Sequence, residues 1–446
     1  MPISDPNSGE PAGVTLQRRL GVFDATTAVV GGIVGAGIFM NPSVVARAVG
    51  SPFLILAAWG LGGVLALFGA WVYAELGSER PAPGGQYAYF REAYHPLLAF
   101  LYGWGLLWVV QSGGMAAVAV TFAQYMKELV GWSADDRLVA AGALLGLTVV
   151  NCFGVRAGAS TQSALTVLKS ISIAALVICG FAFAGAPAVS VPSPIARGES
   201  GSAVALASAM VPVMFAYGGW QTACFLAGEI REPTRNLPRA LMIGIAAVIV
   251  LYLATNVACL RNLGAGGLAA TSTPASDVMR RALGEAGARA IAVGIVVSTF
   301  GFLSQGMLTT PRVYYAMAND GLFFATFGRV DPRTGAPVAA VILQGVAAVA
   351  IAFSGTYERI LNYVVSVDFV FYALAAGCVF VFRRRATRLP PFRAPGHPWT
   401  TALFGVGCLG IVVTLVLRNP ADSLRGLGIL ALGVPVYCFW KRGKAV

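Results

Sequence analysis

Apolar runs of about twenty residues recur from one end of this chain to the other, and that recurrence leaves few folds open. A run of that length crosses a bilayer as a helix, and inside lipid every backbone N–H and C=O must find a partner within its own element. The runs predict an all-α integral membrane protein with about twelve transmembrane helices, at roughly 23–47, 52–77, 97–126, 138–153, 161–186, 203–228, 238–260, 287–318, 337–354, 358–382, 400–417 and 421–440. Hydrophobic residues make up 57% of the 446 and charged residues 11%, against about 25% charged in soluble domains. One membrane domain over about 23–440 is expected, between an N-terminal tail at 1–22 and a C-terminal tail at 441–446.

The formal net charge of +12 would suggest a nucleic-acid partner in a soluble protein, but here the charges fall between apolar runs. Arg18-Arg19, Arg231, Arg235 and Arg239, the run Arg383-Arg384-Arg385 and the tail Lys441-Arg442-Lys444 fall on one side of the membrane. Their bias places both termini in the cytoplasm and the protein in the cell membrane, although Arg261, Arg280, Arg281 and Arg289 fall on the other side. The lipid bilayer is the surrounding partner, and nucleic acid is excluded. The first 22 residues are polar and carry no separate apolar core of a cleaved signal. The seven cysteines lie within or at the ends of the expected spans without metal-ligand spacing, and His95 and His397 are isolated. No cofactor or metal is expected.

Two spans are broken by glycine. Gly31-Gly32-Ile33-Val34-Gly35-Ala36-Gly37 interrupts the first, and Tyr217-Gly218-Gly219-Trp220 the sixth. Glycine lets the backbone leave helical geometry, which lipid tolerates only where the freed groups face protein or a wet cavity. One glycine cluster could merely let helices pack closely. A matching pair, five spans apart, predicts two inverted five-helix repeats, about 23–186 and 203–382, with two additional helices at about 400–440. Such breaks mark the substrate site of a secondary transporter.

A broken helix suits a free amino acid, since it offers free N–H groups with a positive dipole end and free C=O groups with a negative one. The N–H groups around Gly35, Ala36 and Gly37 can hold a carboxylate. Carbonyls at Ile33 and at Phe215, Tyr217 or Gly218 can hold the ammonium. Phe215 and Trp220 would pack on the substrate side chain or gate it, or else serve ordinary helix packing. Two charges sit deep in apolar runs. Lys169 in the fifth span needs a cavity, a partner or a route to the interface, and Asp368 in the tenth is too short to reach one. Asp368 therefore faces a cavity or a partner, or makes a structural hydrogen bond in its protonated form. Glu75, at the end of the second span, reads as an interfacial residue. The segment Ser78 to Phe90 reads as re-entrant or interfacial, with Tyr87, Tyr89 and Phe90 at headgroup level, and Ser276 reads as the cap of a short helix before the eighth span.

Val34-Gly35-Ala36-Gly37-Ile38-Phe39, Tyr73-Ala74-Glu75-Leu76-Gly77, Gly84-Gly85-Gln86-Tyr87-Ala88-Tyr89, Val150-Asn151-Cys152, Phe215-Ala216-Tyr217-Gly218-Gly219-Trp220 and Glu232-Pro233-Thr234-Arg235-Asn236-Leu237-Pro238 occur in order along the chain. From about Leu20 to Arg385 the chain resembles the amino acid–polyamine–organocation superfamily, in particular the L-type amino acid transporters and related bacterial permeases. The resemblance implies transport by alternating access. It implies that Ile33, Ala36 and Gly37 contact the amino and carboxyl groups of the substrate, and that Phe215 and Gly218 do so from the sixth span, with Phe215 as a gate. It further implies that Lys169 fills the place of a sodium ion, with the Gly31 carbonyl and the Ser304 hydroxyl as partners. Three departures matter. Ala36 replaces a usual serine, and Asp368 falls where an asparagine lies near the substrate side chain. The loop Lys127 to Arg137 lacks the cysteine that bonds a partner glycoprotein, so no disulfide-linked subunit is expected.

The reading is a sodium-independent transporter of neutral amino acids, working as an exchanger or a proton-coupled symporter. A cationic amino acid or a polyamine, with Asp368 as counter-ion, is the alternative cargo. A sensor that binds without turnover would be expected to carry a long cytoplasmic domain. An enzyme finds no support, since no clustered His/Glu motif, catalytic triad or phosphate loop occurs.

Overall fold

The computed structural model describes residues 20–81, 85–153, 159–183, 202–225, 227–329, 331, 337–354 and 356–442. The tail up to residue 19 with Arg18 and Arg19, Gly84, the segment between the two expected repeats and Lys444 lie outside them. Among the described residues the architecture is all-helical. A lone parallel bridge between Leu20 and Ile230 ties the start of the first span to the end of the sixth.

The first span is two helices, α1 (Val22–Ile33) and α2 (Gly37–Val49), and the second is α3 (Pro52–Glu79), whose proline opens its first turn. A short α4 (Gln86–Ala93) precedes α5 (Pro96–Gly105), which runs through a π-helical turn at Leu106–Val110 into α6 (Gln111–Val130). Next come α7 (Asp136–Cys152) and α8 (Ala159–Ala182). The sixth span is again divided, into α9 (Ser202–Tyr217) and α10 (Gln221–Phe225). It is followed by α11 (Pro233–Ala270), α12 (Pro274–Thr309), α13 (Pro311–Asn319), α14 (Val338–Ser354), α15 (Tyr357–Arg385), α16 (Trp399–Arg418) and α17 (Pro420–Arg442). Among the described residues ten helical stretches are long and apolar enough to cross a membrane, and α14 is a shorter apolar helix. α7 and α14, each 17 residues, stand where the fourth and ninth spans are expected.

The broken spans lie at the centre. α1 packs on α11 and α8, α2 on α9 and α11, and α12 lies between α6 and α8. Exposed apolar side chains such as Val250, Val406 and Phe439 cover the outside, as a lipid solvent requires.

Several boundary expectations change. The eighth-span helix runs 274–309 with a kink at Gly284 and stops before Pro311, which cannot continue the hydrogen-bond ladder; the expected 287–318 is displaced. Ser276 lies inside that helix with its hydroxyl buried, so it caps nothing. Tyr87, Tyr89 and Phe90 are buried rather than held at headgroup level, because α4 packs against α15 and α5. Glu75 is buried too, at 1% exposure, and is no interfacial residue. Its carboxylate takes two bonds from Arg383, at 2.6 and 2.7 Å, and one from the Ala394 N–H at 2.7 Å. This closes the end of α3 onto α15 and the 386–398 segment, where His397 Nδ1 meets the Thr401 hydroxyl at 3.0 Å.

Candidate functional site

At the first break, residues 34–36 leave the helix. The Gly35 N–H turns back onto the Ile33 carbonyl at 2.9 Å, and the Phe39 and Met40 N–H groups both close on Ala36. The N–H groups of Ala36, Gly37 and Ile38 bond no protein group among the described residues, which leaves the N-terminus of α2 free to receive an anion. Of the expected carboxylate site, Ala36 and Gly37 have free donors, whereas the Gly35 N–H is already used.

The Ile33 carbonyl is not free for an ammonium. It accepts both the Gly35 N–H and the hydroxyl of Tyr252 on α11, which reaches it and the Ala216 carbonyl at 3.2 Å each. The Gly218 N–H donates to the carbonyls of Met214 at 2.9 Å and Phe215 at 3.3 Å. The Tyr217 and Gly218 carbonyls remain as acceptors.

The two breaks touch through backbone. Gly219 has φ +115°, and a Cβ there would sit 2.1 Å from the Gly32 carbonyl oxygen. A Cβ on Gly32 would sit 2.3 Å from the Thr222 hydroxyl and 2.9 Å from the Gly219 carbonyl. Gly37 lies against α9, with Ala216 Cα 2.7 Å from where its Cβ would be, so close helix packing also operates at the first break. A Cβ on Gly218 would meet nothing closer than 3.4 Å.

Lys169 is buried on α8 and donates to the carbonyls of Gly31 at 2.6 Å and Val34 at 2.8 Å, at the C-terminal end of α1. A helix C-terminus with unpaired carbonyls is a favourable place for a cation. The Phe302 ring lies 6.0 Å from the ammonium. Its bonds go to these carbonyls, and none to Ser304; α12 approaches it through Phe302 instead.

A cavity lies between the breaks. Ile33, Gly35, Ala36, Gly37, Phe215, Gly218 and Asp368 all line it, together with Gln111, Gln221, Thr222, Gln305, Thr309, Thr310 and Tyr372. Asp368 is the one acidic or basic side chain among the described lining residues, and Tyr372 stands one turn further along α15. The Trp220 ring, expected to pack on the substrate side chain or gate it, turns away, as does the Tyr217 ring, of which only the carbonyl was expected at the substrate. Tyr217 donates to the Trp59 carbonyl at 3.2 Å and packs on Trp59 and Tyr252. Trp220 is buried among Tyr73, Tyr372 and Phe404.

Phe215 sits at one end of the cavity, edge-on to Tyr357. Tyr357 donates to Asn41 at 3.0 Å, and Asn41 donates to the Pro212 carbonyl at 2.6 Å, which joins α2, α9 and α15 above it. Phe225, Thr309 and Thr310 extend the cavity toward the face that carries Leu20. The sequence reading passed over Gln111, Tyr252, Gln305 and Tyr372. A polar side chain within an apolar span was the available signal, and Tyr372 stands one helical turn from Asp368.

A membrane helix bundle in which two broken spans meet at a cavity lined by free backbone groups has the architecture of a secondary transporter, not of an enzyme. Residues 20–426 match the family described as Amino acid permease, and the chain belongs to that family, within the amino acid–polyamine–organocation superfamily. The serine/threonine exchanger SteT of Bacillus subtilis is 31% identical over 439 residues, covering 96% of this chain and 98% of the relative. The human cystine/glutamate transporter is 29% identical, covering 96% of this chain and 87% of its own. The human large neutral amino acids transporter small subunit 2 is 28% identical, covering 97% and 82%.

Proposed function

We propose that this chain is a sodium-independent exchanger of neutral amino acids in the cell membrane, with both termini in the cytoplasm and no disulfide-linked partner subunit. The observation that carries the reading is the Lys169 side-chain nitrogen held by the Gly31 and Val34 carbonyls, which tethers a cationic group beside the first break. In this reading the Ala36 and Gly37 N–H groups take the substrate carboxylate, and the Tyr217 and Gly218 carbonyls take its ammonium. The side chain extends toward Asp368 and Tyr372. Phe215 gates the outer end, and the two repeats at about 23–186 and 203–382 move against each other. The similarity to the serine/threonine exchanger supports exchange over proton symport. A second reading, a cationic amino acid or polyamine as cargo, is favoured by Asp368 as the single charge in the lining. Uptake into proteoliposomes with a panel of amino acids, with and without internal amino acid and with and without sodium, tests both. Uptake that needs sodium, or that ignores internal substrate, sinks the exchanger reading.

A further inference from the structure

We propose that a groove between the start of α11 and the 386–398 segment binds an anionic phospholipid, with Arg235 and Arg239 on its headgroup phosphate and an acyl chain along Met242 and Ile243. The groove has a volume of about 510 Å³ and shares no residue with the cavity between the breaks. That size suits a small-molecule group. Arg235, Arg239 and Ile243 stand four residues apart on one face of α11, Met242 lies beside Ile243, and Pro391 and Phe392 form the opposite wall. The groove is therefore graded. Its two guanidiniums lie at the end nearest Leu20, where the Arg231 N–H donates to the Leu20 carbonyl at 2.9 Å just before α11 begins. Ile243, about 12 Å further along the helix, is apolar and half exposed. Both arginines are exposed, and neither guanidinium bonds a protein group among the described residues. None of the described lining residues is acidic.

Two cations without a counter-charge select an anion, and a guanidinium matches phosphate with paired N–H donors. A free anion would meet the arginines and leave the apolar end of the groove uncovered. A phospholipid covers both ends at once. A zwitterionic headgroup brings its own cation against the second arginine, so the anionic lipid is preferred. The bound lipid joins the start of α11 to a segment that the Ala394 N–H already ties to Glu75 at the end of α3. Occupancy should therefore raise thermal stability.

The test titrates phosphatidylglycerol into the full chain in detergent micelles and reads the thermal midpoint. The midpoint should rise to a plateau with phosphatidylglycerol and stay flat with phosphatidylcholine of the same acyl chains. Arg235→Gln combined with Arg239→Gln changes two exposed side chains. It should require about 30-fold more lipid for the half-maximal rise, as two cations at an anionic headgroup imply. Met242→Trp fills the apolar end without altering charge and should weaken the response several-fold. Arg384→Gln combined with Arg388→Gln removes the same charge outside the groove, from side chains that are also exposed and unbonded among the described residues. It should shift the half-maximal point less than about threefold. An equal response to phosphatidylcholine, or equal weakening by the two arginine pairs, overturns the proposal. So does an unchanged response of Met242→Trp, or a rise reproduced by inorganic phosphate, which would mark a site for a free anion.

Discussion

Gly219→Ala is the sharpest perturbation of the contact between the breaks. At φ +115° an L-residue is strained by roughly 1–2 kcal/mol, which alone is about a 5- to 30-fold penalty on any state that needs this turn. The added methyl also falls 2.1 Å from the Gly32 carbonyl oxygen, well over an ångström inside ordinary contact, and the obstacle is backbone with no rotamer to yield. Gly218→Ala is the matched control, since its methyl meets nothing nearer than 3.4 Å. Exchange in proteoliposomes, normalised to inserted protein, should fall more than about 30-fold for Gly219→Ala and less than about threefold for Gly218→Ala. Gly32→Ala should resemble Gly219→Ala, because its methyl meets the other side of the same contact. Equal rates for Gly218→Ala and Gly219→Ala would refute the view that the breaks are held by direct backbone contact.

Lys169→Ala removes two charge-assisted bonds of roughly 1.5–3 kcal/mol each and should abolish exchange, while the wild type works at full rate in sodium-free buffer; a strict sodium requirement of the wild type is the contrary result. Asp368→Asn should spare neutral substrates and remove transport of lysine, arginine or ornithine if the carboxylate is a counter-ion. A variant equal to wild type in substrate range, rate and pH profile would make Asp368 structural. Glu75→Gln breaks a buried pair and should cost about 3 kcal/mol, seen as a lower thermal midpoint in detergent; an unchanged midpoint argues against the clasp. Burial and the nearby Arg383 guanidinium hold His397 below the usual histidine range, with Glu75 acting the other way. The folded state therefore prefers the neutral ring, so its contribution is complete above about pH 6.5 and is lost as pH falls below that. His397→Gln should shrink the drop in thermal midpoint between pH 7 and pH 5, and an identical drop counts against it.

The sequence was most legible where one residue type has one physical consequence. Long apolar runs require helices in lipid, and glycine clusters in two of them located both breaks. Lys169 and Asp368 stood out because charge in hydrocarbon needs a reason. What was hidden depended on which way a side chain turns. Trp220 beside the break packs on Tyr372 and Phe404 and does not line the cavity, although Gln221 and Thr222, the next two residues, do. The Ile33 carbonyl belongs to Tyr252, more than two hundred residues away, and nothing local announces that partner. Glu75 looked interfacial because it ends an apolar run. Its burial is set by Arg383 and Ala394, distant in sequence and close in space.

The ammonium at the end of α1 is attached to the polypeptide. An ion recruited from solution occupies its place in proportion to its supply, and leaves when the medium is dilute. A tethered one has no concentration on either side of a membrane, so the break at residues 34–36 keeps the same neighbour in any salt. Its local abundance is written into the chain length between Gly31 and Lys169. In the proposed reading, a sodium gradient does no work at a site whose cation is part of the chain.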